Sequence, residues 1–188
     1  MKLRFIVSLL ALVTVFGLSA KAQELPKIDA SVGYSYFRAN PATPGFQPFN
    51  LNGGSASVAY NVRDWVSGVA DFGGYHVGNS NGLNVDNHLL TYMFGPRFTY
   101  RGYRRFSPFG QVLFGGARAG SGVFATANSH TAFASALGAG VDWNVRDRFS
   151  IRPIQFDYVL THLPEVTGGN NQTQNNLRVS AGIVFHFK

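Results

Sequence analysis

Several features that stabilise or anchor other proteins are missing from this sequence. It contains no cysteine, which excludes a disulfide framework. Beyond its N-terminal segment it has no run of 18 apolar residues, which excludes a further helical membrane anchor. Charged residues make up only 13% of the chain and the arginines are scattered, so no nucleic-acid-binding patch is expected. What the sequence does contain is abundant glycine and aromatic residues, which is typical of many strands and turns.

Residues 1–22 have the pattern of a secretory signal peptide. Lys2 and Arg4 provide a positive start, and an apolar stretch follows. Ala20 and Ala22 then occupy the two small-residue positions that signal peptidase recognises. We therefore predict an exported protein. Loss of three cations with the signal peptide would lower the formal charge from +7 to +4.

The mature domain, residues 23–188, alternates between apolar and polar residues, most clearly in its last twelve residues before Lys188. One parity there carries Leu177, Val179, Ala181, Ile183, Phe185 and Phe187. The other parity carries Asn176, Arg178, Ser180, Gly182, Val184 and His186. Successive side chains of a strand point to opposite sides, so this segment predicts a strand with one apolar face. Twelve tilted residues are enough to cross the hydrocarbon core of a bilayer.

The same alternation predicts eight strands in all. They cover residues 27–37, 52–60, 65–75, 89–101, 108–119, 131–143, 149–160 and 176–187. Their connections alternate between long and short, beginning and ending with a long one. The seventh strand changes parity in its middle, and a β-bulge at Pro153 would restore one continuous face. In the fifth strand Gln111 and Arg118 have opposite parity, which leaves its facing open.

Two of the short connections share a motif. Asn-Val-Arg-Asp occurs at 61–64 and again at 144–147, each time directly after an aromatic residue. The two copies are separated by four strands and their connections, so both fall at the same end of a barrel. We interpret the motif as a repeated turn rather than as a ligand-binding site.

The two faces of the predicted strands indicate what surrounds them. The apolar faces carry the large aromatic residues, whereas the opposite faces carry glycine, serine, threonine and nearly all of the strand charges. A water-soluble barrel would place the bulky apolar side chains inside. We therefore predict an all-β fold, an eight-stranded antiparallel up-and-down transmembrane β-barrel with its apolar face toward lipid. A water-soluble sandwich is the alternative, and it would require the aromatic rings to lie inside.

On these features the chain resembles the small OmpA/OmpX-like outer-membrane β-barrel family. The resemblance is carried by the strand spacing, by the segments GPRFTYR (95–101), SPFGQVLFGGAR (107–118) and RPIQFDY (152–158), and by the ending GIVFHF. It implies a location in the outer membrane of a Gram-negative bacterium, in contact with outer-membrane lipid. It also implies insertion by the barrel-assembly machinery with periplasmic chaperones. The insertion signal would be the last strand with Phe185 and Phe187, which in this chain is followed by Lys188.

The inner faces of the predicted strands bring acidic and basic residues into one narrow lumen. The predicted network consists of Asp29, Asp71, Asp142, Asp157, Arg97, Arg152 and Arg178. Eight strands leave room only for side chains, and charges held away from water must be paired. We expect a lumen plugged by ion pairs, a structural role in the envelope, and four polar loops outside that are free to meet an extracellular ligand. A narrow channel is the alternative.

An outer-membrane enzyme, of the lipid A-modifying or protease type, is the rival class of function. Such an enzyme would need a His/Ser/acid site at the loop rim. The residues of that kind in or beside the long connections are His76, His88, His130, His162, Asp86, Ser129 and Glu165. Their spacing specifies no catalytic arrangement, so no enzymatic activity is expected. His76 and His88 alone are too weak a signal for a metal site, and no cofactor is expected.

Overall fold

Eight antiparallel strands form a closed barrel. The computed structural model describes residues 26–40, 48–77, 87–120, 130–163 and 172–188. The strands are β1 (Ile28–Ala39), β2 (Phe49–Arg63), β3 (Val66–Val77), β4 (Asn87–Thr99), β5 (Phe106–Gly120), β6 (His130–Arg146), β7 (Phe149–Leu163) and β8 (Gln172–Phe187). They neighbour one another in chain order, and β8 pairs with β1 to close the barrel. No helix in the described part of the chain is long and apolar enough to cross a bilayer. The predicted fold class is confirmed.

The strands extend further toward the long connections than the sequence predicted. Arg38, which was expected in a loop, lies in β1 and pairs with Asn50 of β2 and Leu177 of β8. The physical reason is that the alternation continues past the expected strand end. Phe37 and Leu51 both point into the barrel, where they are buried.

The predicted β-bulge in β7 is present. Arg152 pairs with Gly182 and Gln155 pairs with Ser180, so β7 has one residue more than β8 in this stretch. Because of that extra residue, Arg152 and Gln155 both face inward while Pro153 is exposed. The bulge therefore keeps one face of β7 toward the lumen along its whole length.

The facing of β5, which the sequence left open, is settled by burial. Gln111 and Leu113 are buried inside the barrel, and Phe114 lies on the outer wall with 52% of its surface exposed. Arg118 also lies outside, because it shares the parity of Phe114. The conflict between Gln111 and Arg118 thus reflects a charged residue on the outer wall at the end of the strand.

Most rings face outward, and Arg97, Arg152 and Arg178 face inward, as predicted. Phe37, Tyr75 and Phe109, in contrast, are buried inside the barrel. Phe94 and Phe98 are about half exposed on the outer wall, whereas Arg97 between them is 4% exposed. Phe185 is likewise exposed, and Arg178 of the same strand is 1% exposed. This arrangement is the reverse of a water-soluble barrel, and it suits an outer wall in lipid.

The lumen is not uniformly polar, which the sequence did not predict. A cluster of buried apolar residues fills much of its loop-side half. Its larger members are Phe37, Leu51, Tyr75, Leu89, Met93, Leu113 and Val159. The rings of Phe37 and Tyr75 meet with centroids 5.0 Å apart, although β2 lies between their strands. The buried charged residues are concentrated in the middle and at the turn end.

The repeated motif builds the same turn twice. Pairing is irregular between Asn61 and Arg63 and again between Asn144 and Arg146. In each copy the Asn Oδ1 atom accepts a hydrogen bond from a serine six residues later, from Ser67 at 2.5 Å and from Ser150 at 3.0 Å. The motif is therefore a structural solution for a short turn.

Candidate functional site

Arg178 of β8 is the centre of the buried polar network. Its Nη1 atom lies 2.6 Å from Oδ1 of Asp71 on β3, and its Nε atom lies 2.9 Å from Oδ2 of Asp157 on β7. Two strands lie between β8 and β3, so the first of these ion pairs crosses the lumen. All three side chains are almost completely buried. One guanidinium thus compensates two carboxylates that have no access to water.

Amide side chains extend this cluster around the barrel. Gln111 of β5 donates to Oδ1 of Asp157 at 2.8 Å, and Gln155 donates to its Oδ2 at 2.8 Å. Arg97 in turn donates to the amide oxygen of Gln111 through Nε and Nη2, at 3.0 and 2.8 Å. The network therefore links strands on opposite sides of the lumen through one carboxylate.

Arg152 and Asp142 form a second ion pair toward the turn end. Arg152 donates from Nε and Nη2 to the two carboxylate oxygens of Asp142, at 2.6 and 3.0 Å, which is the strong bidentate geometry. Phe109 lies between Arg152 and Arg97, with their guanidinium carbons 4.5 and 4.6 Å from its ring centroid. Arg97 was expected to meet a carboxylate. Its partners in the described structure are instead an amide and an aromatic ring.

Asp29 does not join the central cluster. It lies at the turn end, where Oδ1 is 2.6 Å from Nδ1 of His186. Its Oδ2 accepts from Asn61 at 2.8 Å and from Arg101 at 3.3 Å. Sequence reasoning missed Arg101 and His186 as partners, although their inner parity was the available signal. It missed Gln111 because the facing of β5 was open.

Ser150, His186 and Asp29 form a chain that resembles a nucleophile, base and acid. The Oγ atom of Ser150 is 2.8 Å from Nε2 of His186, whose Nδ1 contacts Asp29. However, Ser150 is completely buried, and its hydroxyl also contacts Oδ1 of Asn144. A substrate carbonyl cannot reach this oxygen in the described conformation. These hydrogen bonds join β7, β8 and β1, so their geometry is that of a structural contact at the barrel seam.

The histidines of the loop end are only partly described. His76 and His88 pair across β3 and β4 with their Nδ1 atoms 3.3 Å apart, and Nε2 of His162 lies 3.1 Å from Oγ1 of Thr173. The side chain of His130 lies outside the described structure. So do Asp86, Ser129 and Glu165. Among the described residues, no group of three or more His, Cys, Asp or Glu side chains is placed to hold a metal ion.

The two predicted processing signals lie at opposite ends of the chain. Ala20 and Ala22, with the rest of residues 1–22, fall outside the described residues, so the signal peptide stays a prediction. Phe185 and Phe187 lie on the outer wall of β8, with 40% and 52% of their surface exposed. They are accessible to lipid or to another protein from the side of the barrel.

Comparison with known proteins is consistent with this architecture. The neisserial surface protein A structure superposes with a TM-score of 0.66 at 13% identity, covering 86% of this chain and 97% of that one. Ail, the attachment invasion locus protein of Yersinia pestis, gives a TM-score of 0.55 at 18% identity, with coverages of 86% and 99%. OprG of Pseudomonas aeruginosa gives 0.50 at 10% identity, with 87% and 97%. At these identities the likeness shows the fold alone.

Sequence comparison shows the family directly. No curated protein sequence matches the chain. The family described as "Outer membrane protein beta-barrel domain", in contrast, matches residues 8–185, which is nearly the whole chain. This protein therefore belongs to the outer membrane β-barrel domain family, and its place is the outer membrane of a Gram-negative bacterium.

Proposed function

We propose that this barrel is a closed, non-enzymatic structural component of the outer membrane that presents four polar loops outside the cell. The observation that carries the proposal is the ion pair between Arg178 and Asp71 across the middle of the lumen, at 2.6 Å. Together with Asp157, these residues occupy the space through which an ion would pass.

A second barrier lies in series with the first. On the loop side of the cluster, the rings of Phe37 and Tyr75 meet inside the lumen at 5.0 Å, within the buried apolar residues. A hydrated ion would lose its water against these apolar groups before it reached the charged cluster. An eight-stranded barrel has no spare width around such a plug. We therefore propose that the lumen does not conduct.

Planar-bilayer recording tests whether the lumen of the barrel is closed to ions. Purified, refolded protein is expected to give no large steady single-channel currents, while a wide porin in the same bilayer serves as the positive control. Large steady currents from the folded barrel would contradict the plug and favour the narrow-channel alternative.

The orientation follows from the unequal connections. The two-residue turns at Asp64 and Asp147 belong to the end that faces the periplasm in outer-membrane barrels, and the long connections belong to the outside. We propose that the four long connections bind a partner or surface outside the cell. Because the chain has no cysteine, one residue replaced by cysteine is the single site that a thiol reagent can label. A membrane-impermeant maleimide should label Ser80→Cys on intact cells and spare Asp147→Cys. The opposite result would reverse the orientation.

The absence of enzymatic activity is the remaining part of the proposal. Its support is the burial of Ser150, which is completely inaccessible beside His186. The test is the mass of lipid A, and of added reporter peptides, after overexpression of the protein. Unchanged masses are expected. A change in either mass would contradict the proposal. If a Ser150→Ala variant that still gives the folded gel band abolishes the change, the site lies at the turn end rather than at the loop rim.

We also propose that β8 carries the signal read by the barrel-assembly machinery, with periplasmic chaperones delivering the unfolded chain. Phe187 is the exposed aromatic residue at the end of this strand. A Phe187→Ala variant should assemble more slowly in cells, whereas Lys188→Ala should assemble normally. Equal assembly of wild type and Phe187→Ala would remove this role.

A further inference from the structure

The turn end of the barrel carries a ring of exposed cations. The residues of this turn-end cationic ring are Lys27, Arg63, Arg104, Arg105, Arg146, Arg148 and Lys188. Among the described residues of this end, Asp64 and Asp147 are the exposed acids. At the loop end, the exposed cations of the described residues are Arg38 and Arg118. The positive charge of the barrel surface is thus concentrated at one end.

The ring surrounds the barrel rather than forming one patch. Arg63 is the last residue of β2, Arg104 lies in the β4–β5 connection, and Arg146 is the last residue of β6. Lys27 and Lys188 flank the seam where β1 meets β8. Each of the three turns at this end therefore contains a cation or directly follows one, and the repeated motif places Arg63 and Arg146 at equivalent positions before two of them.

The backbone of the ring is held by hydrogen bonds, whereas its five arginine side chains make no ion pair within the described structure. The carbonyl of Arg105 accepts from the N–H of Asn144 at 2.8 Å, and that of Arg148 accepts from His186 at 3.0 Å. Within the described structure, no ion pair involves Arg63, Arg104, Arg105, Arg146 or Arg148. Arg101, by contrast, is drawn into the lumen by Asp29. Because these five guanidinium groups have no acidic partner in the described structure, they are available to an anionic partner outside the protein.

Exposed aromatic residues next to the turn-end cationic ring, here called the aromatic collar, indicate how deep the cationic ring lies in the membrane. Exposed rings at this end contact one another in pairs. Trp65 stacks with Phe98 at 6.0 Å and Phe106 with Trp143 at 6.4 Å, and Tyr100 meets Tyr103 edge to face at 5.3 Å. Aromatic residues of this kind occupy the membrane–water interface. Cations immediately beyond such a collar lie at the level of the lipid headgroups.

We infer that the turn-end cationic ring binds anionic phospholipid headgroups, such as phosphatidylglycerol, in the leaflet that faces the turns. Guanidinium groups bind phosphate oxygens with two parallel hydrogen bonds, and basic residues at a membrane surface attract anionic lipids. The inference rests on the proposed orientation only for the choice of leaflet. The binding of anionic headgroups by the ring does not depend on whether the lumen is closed.

Native mass spectrometry of the barrel released from nanodiscs tests this inference. The nanodiscs contain equal amounts of phosphatidylcholine and phosphatidylglycerol, which differ in charge. We expect phosphatidylglycerol to be enriched severalfold among the retained lipids of the wild-type barrel. A variant with Arg104, Arg105, Arg146 and Arg148 replaced by Gln should lose that enrichment. The Arg38→Gln/Arg118→Gln variant should keep it, and Arg104→Gln/Arg105→Gln should show an intermediate loss at equal charge change.

Other results would overturn the inference that the turn-end cationic ring binds anionic lipid. If the fourfold variant retains phosphatidylglycerol as well as the wild type does, or if the loop-end variant loses as much enrichment as its charge-matched partner, the ring is not the binding site. Heat-dependent gel migration confirms that each variant is folded. If the folded ring variants lose binding only to a soluble polyanion, with lipid retention unchanged, the partner is a periplasmic molecule and the inference is wrong.

Discussion

Arg178 and Asp71 form an ion pair across the middle of the barrel, with Nη1 2.6 Å from Oδ1, although two strands separate them along the wall. Arg178 also contacts Asp157 at 2.9 Å. Both carboxylates depend on this one guanidinium, because none of the three side chains reaches water. The contact therefore couples the stability of the barrel to the closure that we propose for its lumen.

Replacement of Arg178 is the first prediction. An Arg178→Ala variant leaves Asp71 and Asp157 buried without a cation, which should cost about 3–5 kcal/mol of unfolding free energy. Urea unfolding of refolded protein in micelles or vesicles measures this loss. Neutralising all three groups, as Arg178→Met/Asp71→Asn/Asp157→Asn, should recover much of it. Equal stability of Arg178→Ala and wild type would show that Arg178 does not compensate the charges of Asp71 and Asp157.

His186 provides the second prediction. It joins strands at the seam of the barrel, because it contacts Asp29 of β1 at 2.6 Å and Ser150 of β7 at 2.8 Å. His186→Ala removes one hydrogen bond from each of these partners, although each keeps at least one other. The loss of two part-buried hydrogen bonds should destabilise the barrel by about 1–3 kcal/mol. The readout is the temperature at which the folded gel band disappears. The control is His162→Ala, an exposed position at the loop end, which should change that temperature little.

Close backbone approach at the same seam gives the third prediction. Gly33 of β1 lies opposite Gly182 of β8, and a Cβ atom on Gly33 would collide with the carbonyl oxygen of Ala181. Gly33→Ala should therefore destabilise the closed barrel by about 1–3 kcal/mol. Gly68→Ala is the matched control, because a Cβ there meets nothing within 4 Å. Equal unfolding midpoints for the two variants would contradict the close packing of the seam.

The bulge in β7 makes the fourth prediction. Deletion of Pro153 would bring Ile154 directly after Arg152, so that Arg152 and Gln155 still face inward with regular alternation. We expect this deletion variant to refold into a heat-modifiable barrel. Deletion of Phe156, the residue directly after Gln155, shifts the facing of the following residues and should prevent folding. Failure of the Pro153 deletion together with folding of the Phe156 deletion would refute this register.

Local alternation predicted the strands, the outward rings and the bulge, because each depends only on which side a residue faces. It could not predict which inward residues meet. Contacts such as Arg178 with Asp71 depend on the relative height of strands that are not neighbours, and that height is set by the stagger of the closed barrel. For the same reason Arg97 found Gln111 and Phe109 instead of a carboxylate. The apolar layer around Phe37 was missed because the inner faces were interpreted as polar or small, although Phe37, Tyr75 and Met93 share the inner parity.

The central claim is that the rings of the outer wall face the acyl chains of the bilayer. The chain has two tryptophans, so a Trp65→Phe/Trp143→Phe background is free of indole fluorescence. In that background, Phe94→Trp places one indole on the outer wall of β4, where Phe94 is 51% exposed. Lipids brominated in their acyl chains should quench this fluorescence strongly, and aqueous iodide should not. Quenching by iodide with no effect of brominated lipid would contradict the account.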